Sequence, residues 1–484
     1  MTVFKRIVFF LTAFSAAALF LLTCFSNGAV HTFLSFLLAA AAIGLIRLLS
    51  RCRLPSRTAL WIAASVAVAL RVLAIFCFPV GTAPAHDFGS YFRLAQNLAE
   101  GGPYIQSSCA FFPHMLFFSM ALSVPFRLFG ASVLTYQLCN LALSLCALFL
   151  LYAILLETAG KPAAFAGALA WAFEPALVLY APLNCHEHYV LTLTFLYLFL
   201  LLRFTQQKSK RPVVLALRGG TLGLCLLALD LVRPLGILFF IATLLWLILR
   251  AHQWDARRAG ALALAALAFT GVLFGGKAAA FEAANGLRRE PLAKASYGFT
   301  LLVGSNGESG GTWNGEDSSY FLSLMRENGG RDGYRAANNA VLSKVRTRWT
   351  DRSFGENLRF LTQKNQMLWG GQKIVLEYLR LYETAPAGFS SHPRPIALLR
   401  LLCDTYLSAL LLLSAVTCFS AARNKKLDEG FLLFTAIAFL GFACMHCLTE
   451  ASGRYTISAL SLLLLLAVPR ANSRTILKRR RRRE

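Results

Sequence analysis

Long stretches of apolar residues dominate the chain, and short charged segments separate them. Each stretch holds about twenty residues, which is the length that a helix needs to cross a hydrocarbon layer of about 30 Å. The pattern therefore predicts an all-α polytopic membrane protein with about twelve transmembrane helices. The predicted spans lie near 6–26, 29–49, 58–80, 132–156, 162–182, 189–203, 213–230, 234–250, 259–279, 396–420, 430–447 and 455–470.

One further apolar stretch, 113–129, is interrupted by Pro113, Pro125 and Arg127. Prolines and a charge inside an apolar stretch favour a helix that lies against the membrane interface over one that crosses it. If this segment crossed the membrane, every later loop would change side.

Basic residues cluster in alternate loops, and this asymmetry predicts the orientation. Short loops rich in Lys and Arg face the cytoplasm, so both termini are expected there, together with a basic tail over 471–484. The loop around Glu157 and Lys161 is the exception to the pattern. The basic residues on this face include Lys5, Arg6, Arg51, Arg53, Arg57, Lys208, Lys210, Arg211, Arg250, Arg257, Arg258, Arg423, Lys425 and Lys426.

Two segments on the opposite, extracytoplasmic face are longer than a simple connection requires, and we expect them to form a folded cap. The predicted organisation is a transmembrane hairpin, a core that includes the first long outer loop, a second long outer loop, C-terminal spans and the basic tail. A cleaved signal peptide is the alternative for the first apolar stretch. The segments are 1–57, 58–279 with the outer loop 81–131, 280–395, 396–470 and 471–484.

Composition agrees with a membrane protein, because 57% of the 484 residues are hydrophobic and 15% are charged. These values exclude an average soluble domain. The formal net charge of +25 would suggest a nucleic-acid partner in a soluble protein, but the predicted topology assigns much of it to the cytoplasmic face, so no nucleic acid is expected. The Gly-rich segment 304–317 lacks the Lys-Ser/Thr of a phosphate-binding loop. The 12 cysteines show no zinc or disulfide spacing.

Charged residues collect where apolar stretches meet the outer loops. Asp87, Glu187, Arg233 and Arg454 come from four separate loops, all predicted on one side. Charges at span ends are costly unless they are paired, hydrated or functional, so we expect a shared site at the outer interface. Arg71 differs because it lies within a span, where either an acid of another span or a bound substrate would be its partner.

The order of these features resembles the GT-C class of integral membrane glycosyltransferases, which includes protein O-mannosyltransferases and aminoarabinose transferases. The resemblance covers about 58–470, although two spans precede it and no Pro follows the Arg-Tyr pair. The residues that carry it are Asp87, Tyr91, Ala95, Leu98, Gly101, Gly102, Pro113 to Gly130, Glu187, Arg233, Pro234, Lys364, Trp369, Arg454 and Tyr455.

The resemblance implies a bacterial plasma-membrane enzyme whose donor is a sugar linked through phosphate to a polyprenyl lipid. The acceptor would be an extracytoplasmic glycan, lipid or protein, and the other partners would be membrane lipids. Polyprenyl phosphate is a weakly basic leaving group, so one carboxylate base with cations around the phosphate suffices.

Asp87 is the predicted general base, with N-capping of the following helix as the alternative. Glu187 is predicted to position the acceptor or sugar or to act as a second base. His186 and His188 flank it, so no cofactor is required by the pattern but a divalent metal is possible; histidines of a polar turn are the other interpretation.

Arg233, Lys364 and Arg454 are the predicted ligands of the donor phosphate, and Tyr91 and Tyr455 are implied as substrate contacts. Arg454 could instead pair with Glu450, and Lys364 could be a solvated loop residue. Two other functions stay open: a cell-envelope polysaccharide polymerase or ligase, and a twelve-span transporter, whose functional charges would lie near the bilayer midplane.

Overall fold

The structure is a computed structural model, and almost all of the chain that it describes is helical. Besides helices and turns, the described part contains one antiparallel bridge between Val80 and Glu383. The predicted tail 471–484 lies outside the described residues, as do Arg53, Lys208, Lys210, Lys425 and Lys426. The described residues are 2–51, 54–82, 86–102, 112–206, 211–250, 256–286, 297–327, 330–384, 392–423 and 430–468.

The described α-helices, numbered in chain order, are α1 Thr2–Arg51, α2 Ser56–Cys77, α3 His86–Ala99, α4 Pro113–Phe129, α5 Val133–Thr158, α6 Lys161–Phe173, α7 Pro175–Tyr180, α8 Glu187–Thr205, α9 Pro212–Val232, α10 Gly236–Arg250, α11 Ala256–Gly286, α12 Tyr297–Gly304, α13 Gly315–Glu327, α14 Gly330–Thr350, α15 Phe354–Trp369, α16 Ile374–Tyr382, α17 Pro393–Arg423, α18 Gly430–Leu448 and α19 Thr456–Ala467. A 3₁₀ turn, Gly453–Tyr455, leads into α19.

Within the described residues, eight helices are long and apolar enough to cross a membrane. They are α1, α2, α5, α8, α9, α11, α17 and α18, while α10 and the segment Gly453–Ala467 are shorter apolar helices. The prediction of an all-α polytopic membrane protein is therefore confirmed. The count of twelve spans stays a prediction, as does the interfacial position of α4.

The first two predicted spans lie in one helix, α1, which is broken at Gly28. The backbone of Gly28 has φ 84° and ψ −175°, a conformation that glycine adopts without the steric cost of a Cβ. Both halves pack beside α17, where Ser408 Oγ lies 2.8 Å from Thr23 Oγ1 and 3.1 Å from His31 Nε2. The break thus lets two apolar segments share one partner helix.

The span predicted at 162–182 is interrupted at Glu174, between α6 and α7. Glu174 accepts a hydrogen bond from the backbone N–H of Leu177 and so caps α7. Arg71 of α2 donates to the carbonyls of Trp171 and Ala172, both at 3.3 Å, at the end of α6. Arg71 and Glu174 are fully buried and interact electrostatically. Arg71 therefore has a structural partner on another helix, and the span predicted at 162–182 consists of two helices, α6 and α7, that meet at this capped break.

The two long segments predicted on the outer face meet each other. In the first segment, α3 packs against α4. In the second, α12, α13 and α14 share a small apolar core around Phe299, Phe321 and Val341. The backbone of Gly81 donates to the carbonyl of Tyr382 at 2.8 Å, beside the bridge from Val80, so the chain entering α3 is attached to the end of α16.

Candidate functional site

Four predicted charged residues occupy the ends of helices at one end of the bundle. Asp87 lies in the first turn of α3, Glu187 begins α8, Arg233 caps the end of α9, and Arg454 belongs to the 3₁₀ turn before α19. Because α8 and α9 are consecutive antiparallel helices, the start of one lies beside the end of the other. The structure brings all four residues together, as the predicted shared site requires.

Arg454 is the centre of this charge cluster. Its Nε lies 2.9 Å from Glu187 Oε1, and its Nη1 lies 3.5 Å from Asp87 Oδ2. Arg233 Nη1 is 3.9 Å from the same Glu187 oxygen. The alternative partner of Arg454, Glu450, instead accepts a hydrogen bond from the Tyr455 hydroxyl at 2.8 Å. One guanidinium thus joins two carboxylates from different helices.

The two carboxylates differ in their access to solvent. The side chain of Glu187 is 0% exposed, whereas that of Asp87 is 60% exposed. Asp87 is the second residue of α3 rather than the residue before it, and its carboxylate faces Arg454. Glu187 therefore holds Arg454 from inside the protein, and Asp87 is available to a bound molecule.

A ring of aromatic and imidazole groups surrounds the buried side of the cluster. His186 Nε2 lies 3.4 Å from Arg233 Nη1, and the ring of Tyr91 meets the His186 ring edge-on, with 5.9 Å between centroids. Burial lowers the pKa of His114 to about 4 and that of His186 well below its usual value. Both imidazoles are therefore neutral at pH 7, and Tyr91, whose pKa is raised by burial, keeps its proton.

The two histidines that flank Glu187 diverge. His186 faces Arg233 and Tyr91, whereas His188 interacts electrostatically with Arg71 in the bundle interior. Among the described residues, no group of three or more His, Cys, Asp or Glu side chains could hold a metal ion. The His-x-His pattern is thus divided between the site and the core.

A cavity of about 690 Å³ opens beside the exposed face of the cluster. Of the predicted site residues, Asp87, Arg454 and Tyr455 line it. Its charged wall residues are Asp87, Lys373, Glu377, Arg400, Glu450 and Arg454. Its aromatic wall residues are Phe88, Trp313, Tyr378, Tyr382 and Tyr455.

The remaining predicted site residues lie behind this wall. Arg233 is 8% exposed and stacks its guanidinium over the Tyr455 ring, 4.8 Å from the centroid. Lys364 of α15 is buried, and its Nζ donates to the carbonyls of Gly304 at 2.6 Å and Cys447 at 3.0 Å. Burial lowers the pKa of Lys364 to about 8. Lys364 is therefore neither a solvated loop residue nor part of the cavity wall.

Sequence reasoning missed Lys373, Arg400 and Glu377 on the wall. Lys373 Nζ lies 2.8 Å from Asp404 Oδ2, and Arg400 pairs with Glu377. Arg400 and Asp404 both fall within the span predicted at 396–420, and charges in an apolar stretch are a signal that could have indicated a polar surface there. No comparable pattern marks Lys373.

Two glycines set the distance between the loops that form the cavity floor. A Cβ added to Gly453 would lie 1.9 Å from the carbonyl oxygen of Gly371, and a Cβ on Gly371 would lie 3.0 Å from Gly453 Cα. The two backbones can approach this closely because neither residue carries a side chain. Arg454, the next residue, takes its position from this contact.

An exposed carboxylate next to a guanidinium suits two chemical tasks at once. The carboxylate can accept a proton from an attacking hydroxyl or amine, and the guanidinium can bind an anion through two parallel hydrogen bonds. Aromatic side chains along the same cavity offer flat apolar surfaces to a ring-shaped ligand. The chain matches no protein-family model, and no curated protein sequence is significantly similar to it.

Proposed function

We propose that the protein is a membrane glycosyltransferase that moves a sugar from a polyprenyl-phosphate donor to an acceptor outside the cytoplasm. The observation that carries this proposal is the pair Asp87 and Arg454, whose charged atoms lie 3.5 Å apart on the wall of a cavity of about 690 Å³. A base and an anion-binding group are the two requirements of transfer from a phosphate-linked sugar, and here they are adjacent.

In the proposed reaction, the acceptor oxygen or nitrogen attacks the anomeric carbon of the sugar. The bond between that carbon and the phosphate oxygen breaks, and polyprenyl phosphate leaves with the electron pair. The acceptor proton passes to the carboxylate of Asp87. Arg454 stabilises the charge that develops on the leaving phosphate. No acid is needed to protonate the leaving group, since a phosphate is a weak base.

Glu187 acts in this scheme as a positioning residue rather than as a second base. It is fully buried, it contacts Arg454 at 2.9 Å and it is within 3.9 Å of Arg233. Its carboxylate would hold the Arg454 side chain in the direction of the cavity. Lys373, which also lines the cavity, would add positive charge for the phosphate.

A transporter is the second candidate, and one observation supports it. The break between α6 and α7, with Glu174 and Arg71 buried beside it, resembles the discontinuous helices that carry polar groups in the middle of transporter bundles. The glycosyltransferase remains the main proposal because Arg71 already donates to backbone carbonyls there, whereas Arg454 faces a cavity.

The test uses full-length protein in lipid nanodiscs, a labelled polyprenyl-phosphate sugar and a cell-envelope acceptor fraction. We expect Asp87→Asn to reduce transfer by at least about 100-fold, the usual effect of removing a general base, without changing the melting temperature, since the side chain is 60% exposed. Glu377→Gln is the matched control, because this carboxylate is 49% exposed on the same cavity wall.

Transfer at the wild-type rate by a folded Asp87→Asn variant would contradict the assignment of the base. Absence of transfer by the wild-type protein, together with solute uptake by proteoliposomes that lack any lipid-linked sugar, would favour the transporter.

A further inference from the structure

A second pocket lies at the end of the bundle opposite the candidate site. It has a volume of about 480 Å³ and lies between the end of α8 and the first turns of α9. Its lining on α8 begins at Leu200, 13 residues after Glu187, so the pocket lies about 20–28 Å from Glu187 along this helix. Its polar lining includes Arg203, Gln206 and Arg218, and its apolar lining includes Leu200, Phe204 and Leu222.

One of the two arginines in this pocket already has an acidic partner. Arg203 Nη2 lies 2.6 Å from Glu157 Oε1, and Gln206 Nε2 donates to the other oxygen of Glu157 at 2.9 Å. The Arg203 guanidinium also lies over the Phe199 ring, 4.8 Å from its centroid. These contacts fix Arg203 and Gln206 at the edge of the pocket.

The other arginine, Arg218, has no ion pair or hydrogen bond with any described residue. It is the seventh residue of α9, so it lies about 9 Å along the helix from its start. A charge at that depth of a membrane span is costly unless it reaches a partner or the headgroup region. Among the described residues, the half-buried Arg218 guanidinium is therefore free to pair with an anionic ligand.

The packing of α9 directs this face away from its neighbour. Gly219 and Gly223 allow α9 to approach α11 so closely that an added Cβ would lie 2.2 Å and 2.6 Å from backbone oxygens of Ala265 and Phe269. Arg218 and Leu222, four residues apart, share a different face and line the pocket. Leu217 and Leu224 of the same helix are 68% and 60% exposed, which places an apolar surface beside the pocket.

We propose that this pocket binds an anionic phospholipid of the leaflet at this end of the bundle. The lipid phosphate would accept hydrogen bonds from the Arg218 guanidinium, with Arg203 and Gln206 at its side. An acyl chain would lie along Leu200, Phe204 and Leu222. The apolar half of the pocket selects a lipid over inorganic phosphate, and anionic lipids are the usual ligands of basic pockets between transmembrane helices. This site is independent of the proposed transfer reaction.

The experiment measures lipid retention by native mass spectrometry on full-length protein in detergent micelles that contain phosphatidylcholine and are titrated with phosphatidylglycerol. Arg218→Gln should reduce the occupancy of tightly bound phosphatidylglycerol at least about fivefold, a loss of about 1 kcal/mol, and Arg218→Lys should restore most of it. Arg57→Gln is the matched control, because Arg57 is an exposed arginine at the start of α2, at the same end of the bundle.

Equal retention by Arg218→Gln and wild type would overturn the proposal. Displacement of the lipid by equimolar inorganic phosphate would also overturn it, because the pocket would then recognise free phosphate rather than a lipid. If Arg218→Gln lost its fold, its melting temperature in pure phosphatidylcholine would fall; the Arg218→Lys variant then decides, since it keeps the charge and is expected to retain the lipid.

Discussion

In the described part of the protein, two buried arginines lie near a buried glutamate, and they differ in whether the guanidinium can still contact a bound molecule. Arg71 and Glu174 are both fully buried, and the Arg71 guanidinium donates to carbonyls of α2 and α6. Glu187 is also fully buried, whereas Arg454 is 8% exposed, lines a cavity and reaches the exposed Asp87. In both groups an arginine is buried near a glutamate, so the side of Arg454 that faces the cavity is the difference that supports the proposed binding role.

The charges of the two groups also have different roles in the structure. Arg71 and Glu174 satisfy the backbone at the break between α6 and α7, which would otherwise leave polar groups unpaired inside an apolar bundle. In the described structure, the Glu187 side chain does not cap a helix as Glu174 does. Its carboxylate faces Arg454 and Arg233. We therefore expect substitutions in the first group to affect stability and substitutions in the second to affect binding and turnover.

The largest effect is expected for Arg71→Met. This change leaves Glu174 without its positive partner and the carbonyls of Trp171 and Ala172 without a donor. Each buried carbonyl left without a donor costs about 1–3 kcal/mol, and the loss of the nearby positive charge adds to this cost. Thermal unfolding in the same detergent should show a large drop in melting temperature and in the yield of folded protein.

The double variant Arg71→Met with Glu174→Gln is the control for this prediction. It should recover part of the lost stability, because no uncompensated charge remains. If Arg71→Met alone were as stable as wild type, Arg71 and Glu174 would not have the stabilising role that distinguishes them from Arg454 and Glu187.

The next effect in size is expected for Arg454→Lys, which keeps the charge but loses the planar fork that contacts Asp87 and Glu187. We expect kcat/KM for the lipid-linked donor to fall by about 10-fold to 100-fold, equivalent to about 1.4–2.8 kcal/mol, with little change in melting temperature. Steady-state transfer kinetics with varied donor concentration provide the measurement.

Arg400→Lys is the matched control for Arg454→Lys, since Arg400 lines the same cavity but pairs with the half-exposed Glu377. A change of less than about twofold is expected there, because exposed ion pairs contribute little. Equal losses in the two variants would show that the connection to Glu187 is irrelevant.

The smallest effect concerns Lys364, which is buried without a described acidic partner at ion-pair distance. Burial lowers the pKa of its ammonium to about 8 in the folded protein, whereas an unfolded lysine has a pKa of about 10.4. Above pH 8 the unfolded chain therefore binds more protons at this residue, and stability rises with pH by at most about 1.4 kcal/mol per pH unit.

The measurement compares melting temperatures of wild type and Lys364→Met between about pH 6 and pH 9.5. Wild type should gain stability relative to the variant as the pH rises, and the two slopes should coincide below pH 7. Parallel curves over the whole range would argue against the lowered pKa.

The sequence was sufficient to predict the helical membrane architecture and the convergence of the charged residues. Apolar length determines which segments can cross a bilayer, so most predicted spans coincide with helices. The shared location of Asp87, Glu187, Arg233 and Arg454 was predicted because consecutive spans alternate in direction, which returns every second loop to the same face. This topological rule needs no knowledge of side-chain packing.

The orientation of individual side chains and their partners could not be predicted in the same way. The partner of Arg71 lies about a hundred residues away, and its identity depends on which faces of α2 and α6 meet. Lys364 was predicted to face the donor phosphate, but its orientation depends on the carbonyls of Gly304 and Cys447, which belong to two other helices. Lys373 lies just before α16 and lines the cavity because it pairs with Asp404 of α17.

The contact between Gly371 and Gly453 leaves no room at the cavity floor even for the methyl group of alanine. Alanine at either position would force the two loops apart, since an added Cβ on Gly453 would overlap the Gly371 carbonyl at 1.9 Å. In a library that samples every amino acid at every position, both sites should therefore be depleted of all nineteen alternatives, alanine and serine included. Exposed positions in the same loops would accept most substitutions. The two positions that accept none would therefore identify the floor of the cavity from the library data alone.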